Sequence, residues 1–227
     1  MVAKQKASVV RLCGLAIGLT AVAGVVAWLR AEPPATGHTT ITFQDGLNRY
    51  CGAVDVEIWA VSPTTCLEGN PNASSDANND GGESQILMRF DEIIGNKPGQ
   101  IPPRSTIHAA KLIVSAFDPG DTVHLHRMLV PWKRTATWNS LVAGVTADGL
   151  EASRQKDSFT FGKIAANSSE IPFEVTDTVQ AWVNGEANHG WVFINTGANG
   201  WDFYTSEFDD VKQRPKLVVE FMPPKGK

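Results

Sequence analysis

Short runs in which apolar and polar residues alternate at every second position, broken at close intervals by Gly, Pro, Asn and Asp, constrain this chain more than any other feature. A period of two puts a buried face and a wet face on opposite sides of a β-strand. Residues 40–44 (TITFQ) alternate and lead into the turn pair Asp45-Gly46. In the next run Val54, Val56 and Ile58 share one face, and Asp55, Glu57 and Trp59 the other. Residues 85–90, 106–117, 122–130, 191–195, 201–204 and 216–221 read as further strands. The turn Asp118-Pro-Gly-Asp121 suggests that 106–117 and 122–130 are neighbours, whereas the polar stretch 68–82 and the Pro/Gly-rich stretch 95–103 read as loops. One segment breaks the rhythm. Val179, Trp182 and Val183 recur at i, i+3 and i+4, with Thr176 placed to cap the start and Gly185 to end it, so a helix of about two turns is expected. About ten short strands and one small helix predict an all-β fold, a two-sheet sandwich of jelly-roll type. The 20 Gly and 13 Pro supply the chain reversals this requires.

The N-terminus is of a different kind. Lys4, Lys6 and Arg11 precede an uncharged apolar run over residues 12–29, the order found in secretion signals and long enough to span a bilayer as a helix. The sequence Leu29-Arg30-Ala31 is only a fair cleavage site, so cleaved signal and retained membrane anchor both stay open. Either places the body outside the cytoplasm, secreted or at the cell surface. Residues 1–31 are thus a signal or anchor, 32–37 a linker, 38–222 a single sandwich domain and 223–227 a tail. With the four bases of 1–31 set aside, 16 Lys and Arg face 24 Asp and Glu, a net charge of −8. An acidic exported body repels phosphate backbones, which excludes nucleic acid as a partner.

Cys13 belongs to the N-terminal segment, which leaves Cys51 and Cys66 in the exported part. An even pair in an oxidising compartment predicts a disulfide, worth about 3 kcal/mol by loop closure. Asp76, Asn78 and Asp80 followed by Gly81 resemble the opening of a calcium loop, with oxygen ligands at positions 1, 3 and 5 and a glycine at 6. The twelfth position is Leu87 rather than a bidentate carboxylate, so Glu83 or a distant acid would have to complete the site. Asp, Asn and Gly are also simply good turn formers. His124 and His126 form a His-x-His pair without an identifiable third ligand. No GxSxG, HExxH, GxxxxGK[ST] or GxGxxG motif occurs. Asn72 and Asn167 head glycosylation sequons.

Six stretches, in order, resemble the DNRLRE domain, the group that includes carbohydrate-binding module family 96. They are Phe43-Gln-Asp-Gly-Leu-Asn-Arg-Tyr50 leading into residues 54–58; Gln85-Ile-Leu-Met-Arg-Phe-Asp91; Gln100-Ile-Pro-Pro-Arg-Ser-Thr-Ile107 before Ala110-Lys-Leu112; Leu125-His-Arg-Met128 with Trp132 and Ala136-Thr-Trp-Asn139; Thr178-Val-Gln-Ala-Trp-Val-Asn-Gly185; and Trp201-Asp-Phe-Tyr-Thr-Ser-Glu207 before Arg214-Pro-Lys-Leu217. The resemblance spans residues 39–221. It implies an extracellular β-sandwich, with polysaccharide binding in some members.

Sugar sites set an aromatic face against the apolar face of a pyranose ring, with carboxylates or amides fixing the hydroxyls. Trp182 and Trp191 suit a core. Trp201, after Asn199-Gly200, suits a loop rim, with Tyr204 beside it as a platform, and Trp59 is the next candidate. The expectation is a non-catalytic carbohydrate-binding-like module that takes polysaccharide on a rim rather than in a cleft, with calcium as a structural cofactor. A structural surface protein without a glycan ligand, and a polysaccharide lyase or hydrolase, are the alternatives.

Overall fold

A computed structural model of the chain describes residues 37–118, 120–160, 170–197 and 199–225. The expected signal or anchor over residues 12–29 and the sequon at Asn167 lie outside them. Among the described residues no helix is long and apolar enough to cross a membrane.

The fold is all-β, with two sheets and one short α-helix. Its strands are β1 (Thr39–Gln44), β2 (Ala53–Trp59), β3 (Asn72–Asn79), β4 (Gly82–Phe90), β5 (Thr106–Val114), β6 (Ala116–Asp118), β7 (Val123–Met128), β8 (Ala152–Phe159), β9 (Ile171–Glu174), β10 (Trp191–Asn195), β11 (Trp201–Tyr204) and β12 (Lys216–Met222), with α1 (Thr176–Val183) between β9 and β10. A four-stranded sheet runs β1-β12-β5-β9. The larger sheet runs β6-β11-β3-β4-β10-β7-β8, with β2 also paired to β4. Pro172, which cannot donate to a ladder, sits in β9 at the edge of the smaller sheet.

Period two explains the main core. Leu112, Val219 and Phe173 from the small sheet pack with Ile86, Met88 and Phe193 from the large one, and Val179, Trp182 and Val183 of α1 join the same cluster. Each such side chain contributes about 1.5–3 kcal/mol by leaving water. A second core lies on the opposite face of the large sheet. Val54, Val56, Ile58, Leu87 and Val192 are covered there by Trp132, Ala136, Leu141 and Val145 from the long segment between β7 and β8. That covering segment is anchored by polar pairs. The buried Gln85 amide donates to the Val145 carbonyl (3.0 Å) and accepts the Val145 N–H (2.8 Å). The Trp132 indole donates to the His189 carbonyl at 2.7 Å, and the Arg89 guanidinium stacks over the Trp132 ring at 4.4 Å. With both faces covered, β4 reads as a nearly continuous apolar run, Ile86-Leu87-Met88, instead of alternating.

The structure departs from the sequence reading at four places. The polar stretch 68–82 contains β3, which pairs with β11 at one end and β4 at the other. Residues 106–117 form two strands. The chain leaves the small sheet after Val114 and enters the large one at Ala116, so 106–117 and 122–130 are not neighbours: β5 pairs with β12 and β9, and β7 pairs with β10 and β8. The charged stretch Ala152–Phe159 forms an additional strand at the edge. Finally, Thr176 is the first residue of α1 rather than its cap. Its Oγ1 accepts the Ala110 N–H at 2.9 Å, tying the helix to β5, and the N-cap, Val175, makes no side-chain cap bond.

Candidate functional site

Trp201 is not a sugar platform. It is 1% exposed and packs in the main core against Phe203, Phe173 and Phe193 at ring-centroid distances of 5.4, 6.1 and 6.2 Å. Alternation along β11 decides this: Trp201 and Phe203 point inward, which turns Asp202 and Tyr204 to the other face. Asn199-Gly200 is a loop, but it ends one residue too early to carry Trp201 with it.

Tyr204 remains a candidate and has partners that the sequence did not reveal. Its ring stacks on Phe208 at 3.8 Å and lies 4.8 Å from Phe117, which is 39% exposed. Phe117 comes from β6, across the β11 edge, and Phe208 from the loop after β11, so the three rings meet only through the fold. The bulge in the β6–β11 pairing is the local device that accompanies this arrangement.

Beside this aromatic patch lies a set of desolvated carboxylates. Asp202 precedes Tyr204 by two residues and faces the same way. Ser74, its partner on β3, bonds it through the side chain. The Ser74 N–H donates to Glu57 Oε2 at 3.0 Å. Burial pushes the Glu57 carboxyl up to about 7, opposed by the Ser74 bond and reinforced by the charge of Asp202. Burial also raises Asp202, with Asp118 and Asp76 adding repulsion. A carboxyl that holds its proton near neutrality both donates and accepts, which matches the dual character of a sugar hydroxyl.

The structure does not bring Trp59 to this patch. Its indole donates to the Asn79 carbonyl at 3.1 Å, at the end of β3 opposite to Asn72, which pairs with Tyr204. Strand rise puts those two ends roughly 20 Å apart.

Asp76, Asn78 and Asp80 are part of a β-hairpin. Asn79 pairs with Gly82 around the two-residue turn Asp80-Gly81, whose φ values of 50° and 93° fit the left-handed conformation that Asp-Gly favours in hairpins. The Asp76 Oδ1 is occupied by the Asn78 N–H at 2.8 Å. Turn chemistry accounts for this composition, and among the described residues no group of three or more His, Cys, Asp and Glu is arranged to hold a metal.

The expected disulfide is absent: Cys51 and Cys66 both lie exposed and are not bonded to each other. Cys51 precedes β2, whereas two successive turns, Ser62 N–H to Trp59 O and Thr65 N–H to Ser62 O, hold the chain at the far end of that strand. A seven-residue strand spans about 20 Å, and a disulfide needs Cα atoms within about 7 Å. Of the histidine pair, His126 is buried with Nδ1 2.8 Å from the Ser153 carbonyl, and His124 lies 3.4 Å from Lys156 Nζ. Both contacts are with ordinary neighbours in β8.

No protein-family model matches the chain, and no curated protein does. The geometry of the β11 face therefore stands on its own.

Proposed function

We propose that this protein is an exported, non-catalytic module of jelly-roll architecture and DNRLRE type that binds polysaccharide on the outer face of β11. The observation that carries the reading is the cluster of Tyr204, Phe117 and Phe208, left partly exposed on an all-β scaffold. Desolvated Asp202 and Glu57 lie alongside. Exposed aromatic surface costs solubility, so a contiguous patch flanked by polar groups is a feature of recognition sites. The patch lies on a strand face rather than inside a cavity, which suits a polymer lying across it. The apolar segment over residues 12–29 supports export.

On a glycan array, full-length protein is expected to be retained by at least one polysaccharide class. Tyr204→Ala is expected to weaken that retention by roughly tenfold or more, as loss of a central aromatic anchor does in other interfaces. Retention unchanged by Tyr204→Ala removes the patch as the site. Absence of saturable binding across the array favours the structural surface-protein reading.

A further inference from the structure

The structure contains a cavity of about 450 Å³ between β8, the N-terminal turn of α1 and Arg127 of β7, on elements other than the β11 face. That volume is within the range of small-molecule sites, and only Val175 and Ala181 among the lining residues are apolar. Asp157 forms one wall. Its Oδ2 accepts both the Trp191 indole N–H (2.8 Å) and the Thr178 hydroxyl, while Oδ1 has no partner among the described residues. One carboxylate oxygen is thus fixed by the core and the other is left available at the cavity wall. Arg127 gives Nη1 to Glu186 at 2.9 Å and retains further N–H donors. The Lys156 ammonium is engaged away from this set, 3.4 Å from His124 Nε2 and 4.4 Å over the Phe159 ring. The α1 first turn lacks a side-chain cap, and Asp177 also lines the cavity.

Donors and acceptors are thus both present on the cavity wall. An anion would meet Asp157, Asp177 and Glu174, and a lone cation would meet the Arg127 guanidinium. A neutral polyol meets neither problem, because a hydroxyl can both donate to a carboxylate and accept from a guanidinium. No exposed aromatic ring lines the cavity, so ring stacking is not part of its chemistry.

We infer that this cavity is a second binding site, for one or two residues of a neutral saccharide held through its hydroxyls with Asp157 as the central acceptor. The choice of a saccharide over other polyols rests on the glycan reading proposed above. Asp157 is a positioned ligand-binding group, preorganised by Trp191 and Thr178.

The test is calorimetric titration of full-length protein with a panel of neutral mono- and disaccharides, with glucosamine and glucuronate as charged comparisons. At least one neutral sugar is expected to bind in the millimolar range. Asp157→Asn keeps the side-chain shape and is expected to weaken that binding tenfold or more. Arg127→Met removes the cavity's guanidinium and is expected to weaken binding severalfold, which keeps the test decisive if Asp157→Asn perturbs folding. Tyr204→Ala is expected to leave small-sugar binding unchanged while lowering polysaccharide retention, so the two sites fail separately. The inference is overturned if no neutral sugar binds, if only a charged comparison binds, or if binding responds to Tyr204→Ala but to neither cavity variant.

Discussion

Trp201→Ala is expected to destabilise the fold by about 3–5 kcal/mol, the usual cost of emptying a buried Trp site. For a domain of this size that is a fall in melting temperature of roughly 10 °C. Trp201 is 1% exposed and meets three phenylalanines, so truncation removes dispersion contacts on several sides and leaves a void that β-strands cannot close. Trp201→Phe is expected to cost much less. The indole N–H of Trp201 has no acceptor among the described residues, so replacing it forfeits volume but no hydrogen bond. Tyr204→Ala loses its ring contacts with Phe208 and Phe117, two aromatic pairs worth about 1 kcal/mol each. Thermal unfolding of the three variants separates a core role from a surface role. A Trp201→Ala protein that melts with the wild type contradicts the inward orientation of this residue.

Between pH 8 and pH 5 the fold is expected to become more stable, opposite to common acid denaturation. Asp55 is 8% exposed, and burial lifts its carboxyl from 3.8 to about 6 despite the hydrogen bond from the Ser206 N–H. Between those two values the folded state holds a proton that the unfolded chain has released, so raising the pH favours unfolding. The contribution is complete below about 4 and lost as pH rises through 6, on the order of 3 kcal/mol for a displacement of this size. Glu57 acts in the same direction between 4.5 and about 7, and Asp157 and Asp202 are raised too. The opposing ion pairs, such as Lys111–Glu174 and Arg134–Glu68, are largely exposed. Each is worth about 0–1 kcal/mol. Urea denaturation across pH 5 to 8 is the check, and Asp55→Asn is expected to flatten the profile and to exceed the wild type at pH 8. Stability that rises from pH 5 to 8 contradicts the burial of Asp55 and Glu57 as ionisable acids.

How much of this could be read from residues alone follows from which forces leave a pattern. Where one face is buried and the other wet, alternation marks the strand, as in β11 and β12, and helical spacing marks α1. β3 escapes because its sequence, Asn72–Asn79, offers only Ala73 and Ser75 to the interior. The hairpin signal Asp80-Gly81 was present but also fitted a cation loop. β8 escapes because its edge position leaves Arg154, Gln155 and Lys156 exposed. The site is harder. Phe117, Tyr204 and Phe208 are separated by up to ninety-one positions in sequence and meet only because β6 pairs with β11. Tyr204 could be nominated from its neighbourhood, but the inward phase of Trp201 depended on where β11 begins, and a one-residue change in register exchanges the two faces. The cavity at Asp157 left no sequence signal, because it joins β7, β8 and α1.

Whether the outer face of β11 or its tryptophan core carries recognition is read most directly by mapping chemical-shift changes as a retained polysaccharide is titrated into the labelled protein. Shifts are expected to concentrate at Phe117, Asp202, Tyr204 and Phe208, with the Trp201 indole unmoved. Shifts centred on Trp59 and the Asp80-Gly81 hairpin, with the Tyr204 ring unaffected, would contradict recognition on the β11 face.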